Sequence, residues 1–188
     1  MGIIYDCGGG IRLQPLTKSI ALGGDGPVRY RRWMTDEEVT KYNSHGLFPK
    51  GDREIQAWLD DVESGRHAVT FAIMFDGAWV GVCSLQSLNW INRSAEVAIY
   101  VGERDAWGRG IATRAVRALL RHGFQRLGLN RIWSGTAATN TGMNTVFKKL
   151  DFRMEGSFRS GMFLDGHFVD IHCYSILKGE YDDDSARD

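Results

Sequence analysis

Trp107-Gly108-Arg109-Gly110-Ile111-Ala112 lies between two stretches of different character. Before it, Glu96-Val97-Ala98-Ile99-Tyr100-Val101 reads as a strand. After it, Thr113 to Leu127 reads as an amphipathic helix, with Ile111, Ala115, Leu119 and Leu120 on its buried side. A glycine-rich turn between a strand and a helix start leaves backbone N–H groups without intrahelical partners. Those donors and the positive end of the helix dipole form an anion site suited to phosphate. Gly108 and Gly110 let the backbone approach an anion, Ala112 is small enough not to block it, and Arg109 adds a cation. A tight turn without a ligand has the same appearance, so the turn alone leaves both readings open. No Gly-Lys-Ser/Thr follows, which excludes a Walker A loop, and the third glycine and distal acid of a dinucleotide fingerprint are missing.

A second segment, Asn140-Thr141-Gly142-Met143-Asn144-Thr145-Val146-Phe147-Lys148-Lys149-Leu150-Asp151-Phe152, begins 28 residues after Ala112. The two segments together resemble the GNAT superfamily of acyl-CoA-dependent N-acetyltransferases. The first resembles its pyrophosphate-binding Q/R-x-x-G-x-G/A motif, with Trp107 in the Q/R place. The second resembles N-x-x-S/A-x-x-x-Y-x-K-x-G-F, which Asn140, Lys149 and Phe152 match and Met143, Phe147 and Asp151 do not. Trp-Gly-Arg-Gly-Ile-Ala-Thr and the ending Asp165-Gly166-His167-Phe168-Val169-Asp170 resemble the RimJ/RimL-like branch. The likeness runs from about Ile11 to Leu177.

The resemblance implies a single α+β domain with a mixed, mostly antiparallel sheet flanked by helices, spanning 11–178. Residues 1–10 read as a flexible, glycine-rich start and 179–188 as an acidic tail. It also implies direct acetyl transfer from acetyl-CoA to a primary amine in a ternary complex, with no metal. The anchor is Trp107 to Thr113, including Ile111. The strand Ile99-Tyr100-Val101 supplies backbone groups to the pantetheine arm, and Asn140 contacts that arm. Asn140 also reads as a helix cap, and both roles are compatible. Glu96 is the expected base; its alternative is a solvent-facing residue paired with Arg93 or a neighbour. The family's acidic tyrosine is replaced by Phe147, which has no proton to give. Either the thiolate leaves unaided, or Tyr100, Tyr174 or a water substitutes. Phe147 itself would wall the cofactor channel or simply pack in the core.

On the acceptor side, Trp33, Tyr42 and His45 sit where the first helices should cover the cleft. Asp170 and His172 share one face of the last strand. The plainer alternative makes Trp33 core and leaves Asp170 and His172 paired with each other or solvent-facing. A protein N-terminal amine and an amino-sugar nucleotide are the expected acceptors. A non-catalytic acyl-CoA-binding module and a nucleotide-binding domain are the rival classes.

Composition is consistent with this. Of the 188 residues, 43% are hydrophobic and 24% charged, as in ordinary globular proteins. Lys plus Arg equals Asp plus Glu at 23 each, which argues against a nucleic-acid binder. No apolar run is long enough to span a membrane, and no signal peptide is evident. The cysteines, Cys7, Cys83 and Cys173, are scattered without metal-ligand spacing, which points to a reduced, cytoplasmic protein. The expected state is monomer or homodimer.

Along the chain, Ile11–Leu16 reads as a strand, 21–27 as loop, and a short helix begins near Arg29. Thr35 or Asp36 caps another helix, and Ile55, Trp58, Leu59 and Val62 mark a third between Asp52 and Val62. Ala68–Met74, Ala78–Leu88 and Ala95–Val101 form an antiparallel meander around Asp76-Gly77. Arg131–Ala137 follows a crossover helix and should pair in parallel. Arg153–Leu164 and His167–Leu177 form a final hairpin.

Overall fold

The computed structural model describes residues 2–43, 51–65 and 67–182. Eight strands form one sheet: β1 Tyr5–Gly8, β2 Ile11–Pro15, β3 Val69–Phe75, β4 Ala78–Asn89, β5 Ser94–Val101, β6 Arg131–Ala137, β7 Arg153–Leu164 and β8 His167–Leu177. Their order is β1-β2-β3-β4-β5-β6-β8-β7, and every neighbouring pair is antiparallel except β5 and β6. The expected mixed, mostly antiparallel α+β sheet is therefore present, with its parallel pair where the crossover helix required it.

The strands alternate their side chains between two cores. On one face Ile11, Leu13, Phe71, Ile73, Val97 and Ile132 pack under α5 (Ile111–Arg121) and α6 (Thr141–Lys149). On the other, Ala72, Trp79 and Val82 pack under α1 (Lys18–Ala21), α2 (Gly26–Thr35), α3 (Glu37–Thr40) and α4 (Asp52–Ser64). Leu59 of α4 is wholly buried there, and Asp36 caps α3 by accepting from Glu38 N at 3.0 Å.

The structure departs from the sequence reading most at the N-terminus, at α2 and at the end of α5. The glycine-rich start is ordered structure from Tyr5, because β1 is docked by distant partners. Tyr5 Oη and His122 Nδ1 are 2.7 Å apart, and Arg114 Nη1 donates to Cys7 O at 3.0 Å. Gly8, Gly9 and Gly10, at φ +73°, +59° and +76°, make the turn into β2. Helix α2 starts at Gly26 rather than near Arg29, since Pro27 fits a first helical turn. The α5 helix ends at Arg121 and continues as a π-turn over His122–Arg126. Gly123 there admits close packing: a Cβ on it would stand 2.6 Å from Ile132 Cδ1.

Candidate active site

β5 and β6 are paired at three positions only, Ser94–Arg131, Ala95–Ile132 and Glu96–Trp133. Beyond that point β5 stays with β4 as far as Val101, and β6 stays with β8 as far as Ala137. The strands therefore part into a notch that exposes the facing backbone edges of both. A cleft of about 910 Å³ occupies it, large enough for an extended ligand. Ile99, Tyr100 and Val101 line one side, and Ser134, Gly135 and Thr136 the other.

The glycine turn closes one end. Gly108 and Gly110 sit at φ +75° and +74°, a conformation that L side chains rarely adopt. A Cβ built on either would meet no atom within 4 Å, so both backbones face open space. Gly110 O accepts from Arg114 N at 3.1 Å as the first turn of α5 closes. The amides of Ile111, Ala112 and Thr113 precede that bond and have no intrahelical acceptor, and no acidic side chain stands in this turn. Trp107 Nε1 donates to Val101 O at 2.8 Å and ties the turn to the end of β5. These features fit a pyrophosphate: open space, oriented donors and no competing anion. Arg109 is placed differently from the sequence reading. Its Nε donates to Asp105 O at 3.1 Å and its guanidinium lies over the Phe75 ring, so its side chain does not line the cleft.

At the apex, Glu96 lines the cleft and is held by the neighbouring strand. Gln86 Nε2 donates to Glu96 Oε2 at 3.2 Å, and Ser87 Oγ at 3.3 Å. Ser87 stands at a β-bulge with φ +52°, which turns its hydroxyl toward the carboxylate. Of the alternative partners, Arg93 or a neighbour, it is neighbours on β4 that hold this group.

A family model described as an acetyltransferase (GNAT) domain matches residues 13–153. The chain belongs to the GNAT superfamily of N-acetyltransferases. It catalyses acetyl transfer from acetyl-CoA to an amine. An uncharacterized N-acetyltransferase, p20 of Bacillus licheniformis, is 31% identical over 161 residues, covering 84% of this chain and 89% of that protein. Spermidine N(1)-acetyltransferase of Escherichia coli (strain K12) is 27% identical over 111 residues, 59% of each chain. The fold is that of the RimJ/RimL-like branch. The solved ribosomal L7/L12 α-N-protein acetyltransferase RimL, in complex with coenzyme A, superposes with a TM-score of 0.81 at 17% identity, over 93% of this chain and 98% of that one.

The remaining expected residues of this acetyltransferase divide clearly. Asn140 lines the cleft and caps α6, its Oδ1 accepting from Met143 N at 3.1 Å. Phe147 touches the cleft with only an edge, being 1% exposed. Its ring packs 5.0 Å from both Phe152 and Tyr174. Tyr42 lines the cleft and donates from Oη to Thr139 O at 3.1 Å. His45 lies outside the described residues. Trp33 is core rather than a substrate contact: it is 0% exposed, edge-on to Trp79, and donates from Nε1 to Glu103 Oε1 at 3.1 Å.

Asp170 and His172 do not line the cleft either. Asp170 Oδ1 accepts from Ser160 N at 2.8 Å and pins an irregularity in β7. His172 Nδ1 and Tyr174 Oη meet Asn144 Oδ1 at 3.0 and 2.8 Å. Asn144 Nδ2 in turn donates to the carbonyls of Ala137, Ala138 and Asn140. This closed network fixes α6 on β6 and β8, and it removes Tyr174 as a proton donor to the cleft. Tyr100 does line the cleft, and burial holds its phenol well above the ordinary value.

The sequence reading gave no site role to Gln86, Ser134, Thr136, Glu38 and Lys41, all of which line the cleft, as does Lys149 of the second motif. Ser134 and Thr136 had one detectable signal: two hydroxyls at i, i+2 following buried Ile132 on the same strand face. Among the described residues no three His, Cys, Asp or Glu side chains cluster as a metal site, and no helix is long and apolar enough to cross a membrane.

Proposed function

We propose that the acceptor carries a single reacting ammonium, as a protein N-terminus does, and that Glu96 takes its proton while both substrates are bound. The observation that carries this reading is Glu96 at the apex of the notch, oriented by Gln86 and Ser87 and open to the cleft. A carboxylate so fixed needs no reorganisation to receive a proton, directly or through one water.

The roles of the other residues follow from placement. The Gly108–Gly110 turn and the first amides of α5 hold the pyrophosphate. The β5 edge at Ile99–Val101 offers backbone donors and acceptors to the pantetheine arm, and a donor there can stabilise charge developing on the thioester carbonyl. Bound acetyl-CoA supplies the activated acetyl group, so the chain forms no covalent bond to it. Asn140 holds the α6 end of the channel. Tyr42 sits on the acceptor wall with Glu38 and Lys41. Lys41, itself 4.0 Å from Asp165, offsets Glu38 on this wall, which leaves no excess negative charge to draw the second and third cations of a polyamine.

A coupled thiol-release assay with acetyl-CoA and three acceptors tests this: an N-terminal peptide, spermidine and an amino-sugar nucleotide. The highest kcat/KM is expected with the peptide. Preference for spermidine would overturn the single-ammonium reading. Acetyl-CoA binding with no turnover on any amine would favour a non-catalytic acyl-CoA-binding module.

A further inference from the structure

Replacing the family's tyrosine with Phe147 leaves the departing sulfur without its usual donor, and the structure offers another hydroxyl. β8 pairs Tyr174 with Ser134 and Ile176 with Ile132, so these side chains share one sheet face. That face carries α5 and α6, because Ile132, Tyr174 and Ile176 belong to the core beneath those helices. Ser134 thus stands on the face of the glycine turn, in the strand position immediately after the last β5–β6 pair, Glu96–Trp133. Glu96 stands on the other face, in alternation with Val97, which belongs to the α5 core. Ser134 is 6% exposed, yet its Oγ makes no hydrogen bond to any described residue. A hydroxyl on a nearly buried residue, without a partner among the described residues and open to a ligand cleft, is a polar group placed for a ligand.

We propose that Ser134 Oγ–H is the hydrogen-bond donor to the sulfur of CoA as the C–S bond breaks. The inference rests on the acetyl-transfer reading and adds a catalytic residue to it. The amine nitrogen forms the new C–N bond, and the C–S electron pair passes to sulfur. Glu96 takes one proton from the ammonium on the acceptor face before attack, and the second nitrogen proton passes to solvent as the adduct collapses to the neutral amide. Ser134 stabilises the thiolate on the cofactor face by donation, without giving up its proton, and the thiolate takes one proton from solvent on release. A serine hydroxyl is a weaker acid than a thiol, so a hydrogen bond rather than full transfer is the chemically balanced role. Thr136 shares the strand face but lies two residues farther from the last β5–β6 pair. Tyr100 also lines the cleft; its ring packs 6.2 Å from Trp33, on the acceptor-side core.

The test compares Ser134→Ala, Thr136→Ala and Tyr100→Phe with the wild-type chain. The first readout needs no turnover: ultraviolet titration of the thiolate of CoA bound to each protein. Free thiols of this kind titrate near about 8.5, and a donor at sulfur lowers that value. Bound CoA should titrate below free CoA in the wild type and in the Thr136 and Tyr100 variants, and return toward the free value in Ser134→Ala. Desulfo-CoA gives the second readout: the wild type should prefer CoA over it, and Ser134→Ala should not. With an accepted amine, kcat should fall by about tenfold to 100-fold in Ser134→Ala at little change in acetyl-CoA affinity. Loss of an unpartnered hydroxyl should leave the melting temperature unchanged or higher. A Ser134→Ala protein with the wild-type thiol titration would overturn the assignment, as would a titration shift confined to Thr136→Ala or Tyr100→Phe. Absence of turnover on every amine would sink the acetyl-transfer reading while the titration still judged Ser134.

Discussion

Gly110→Glu tests the anchor most directly, because the structure supplies each contribution to the expected effect. Gly110 has φ +74°, where a non-glycine residue is strained by roughly 1–2 kcal/mol. Its substituent would enter open space rather than collide with protein, since nothing lies within 4 Å of the built Cβ. The variant should therefore fold. If a pyrophosphate occupies that space, the new carboxylate opposes it. Two unit charges about 5 Å apart at an effective dielectric of about 20 repel by about 3 kcal/mol. That corresponds to a loss in affinity of more than about 100-fold. Gly110→Ala carries the backbone strain without the charge and is the control. Calorimetric titration of acetyl-CoA into the three proteins should place Gly110→Glu far below Gly110→Ala. The gap should narrow at high salt, since screening weakens exposed repulsion. A folded Gly110→Glu protein that binds acetyl-CoA as well as Gly110→Ala would refute the placement of phosphate at this turn.

Three further outcomes are expected. Glu96→Gln keeps the partners' hydrogen-bonding geometry but cannot take a proton, so kcat should fall on the order of 100-fold at unchanged acetyl-CoA affinity, read by steady-state kinetics and calorimetry. Phe147→Tyr adds a hydroxyl to a side chain only 1% exposed, so an unpartnered group should cost about 1–3 kcal/mol and lower the melting temperature; an unchanged melting temperature with a faster rate would show that the ring edge opens to the cleft. The Glu155 carboxyl is held down to about 2, first by hydrogen bonds from Arg131 and then from Ser175. Its folded value lies below its unfolded one, so its contribution is full above the unfolded value of about 4.3 and is lost as pH falls toward 2. The pair is partly exposed, so the effect should be small. Chemical denaturation of wild type and Glu155→Gln should differ at pH 7 and converge near the acid limit, and a constant difference would contradict the linkage.

What could be read from the chain was local. Gly108 and Gly110 announce positive φ and a close approach, and the strand before and helix after them fix the turn's setting. Asp36 and Asn140 could be recognised as caps because a cap's partner lies two or three residues away. What stayed hidden depends on distant pairing. No local pattern says that β5 and β6 separate after Glu96–Trp133, since β6 is held away by β8, about 40 residues farther along. The first strand was hidden for the same reason: Tyr5 and Cys7 are held by His122 and Arg114, more than 100 residues later. Trp33 and His172 looked like site residues because an aromatic or a histidine near polar neighbours suits a core and a cleft equally well. Only Glu103 beside the indole, and Asn144 beside the imidazole, decide between them.

If Glu96 is the base and Ser134 the thiolate donor, the parted strands also account for how the site separates two chemical tasks. A continuous sheet would put a barrier between the α5–α6 face and the α1–α4 face. The notch removes that barrier at one position, and the last pair before it brings Glu96 to the acceptor face. One residue later Ser134 faces the opposite side, because a strand reverses its side chains at each step. On this proposal a base and a thiolate donor approach one cleft from opposite sheet faces, with no hydrogen bond linking them among the described residues. The Gln86–Ser87 pair holds the first group. The Asn144 network fixes α6 against β6 and β8, and so shapes the wall beside the second. This arrangement requires that losses at Glu96 and Ser134 be separable. Changing Glu96 should leave the titration of bound CoA intact, and changing Ser134 should leave the acceptor-side pH dependence intact. Mutual dependence of the two readouts would mean that a single shared network, not two opposed faces, governs proton movement in the cleft.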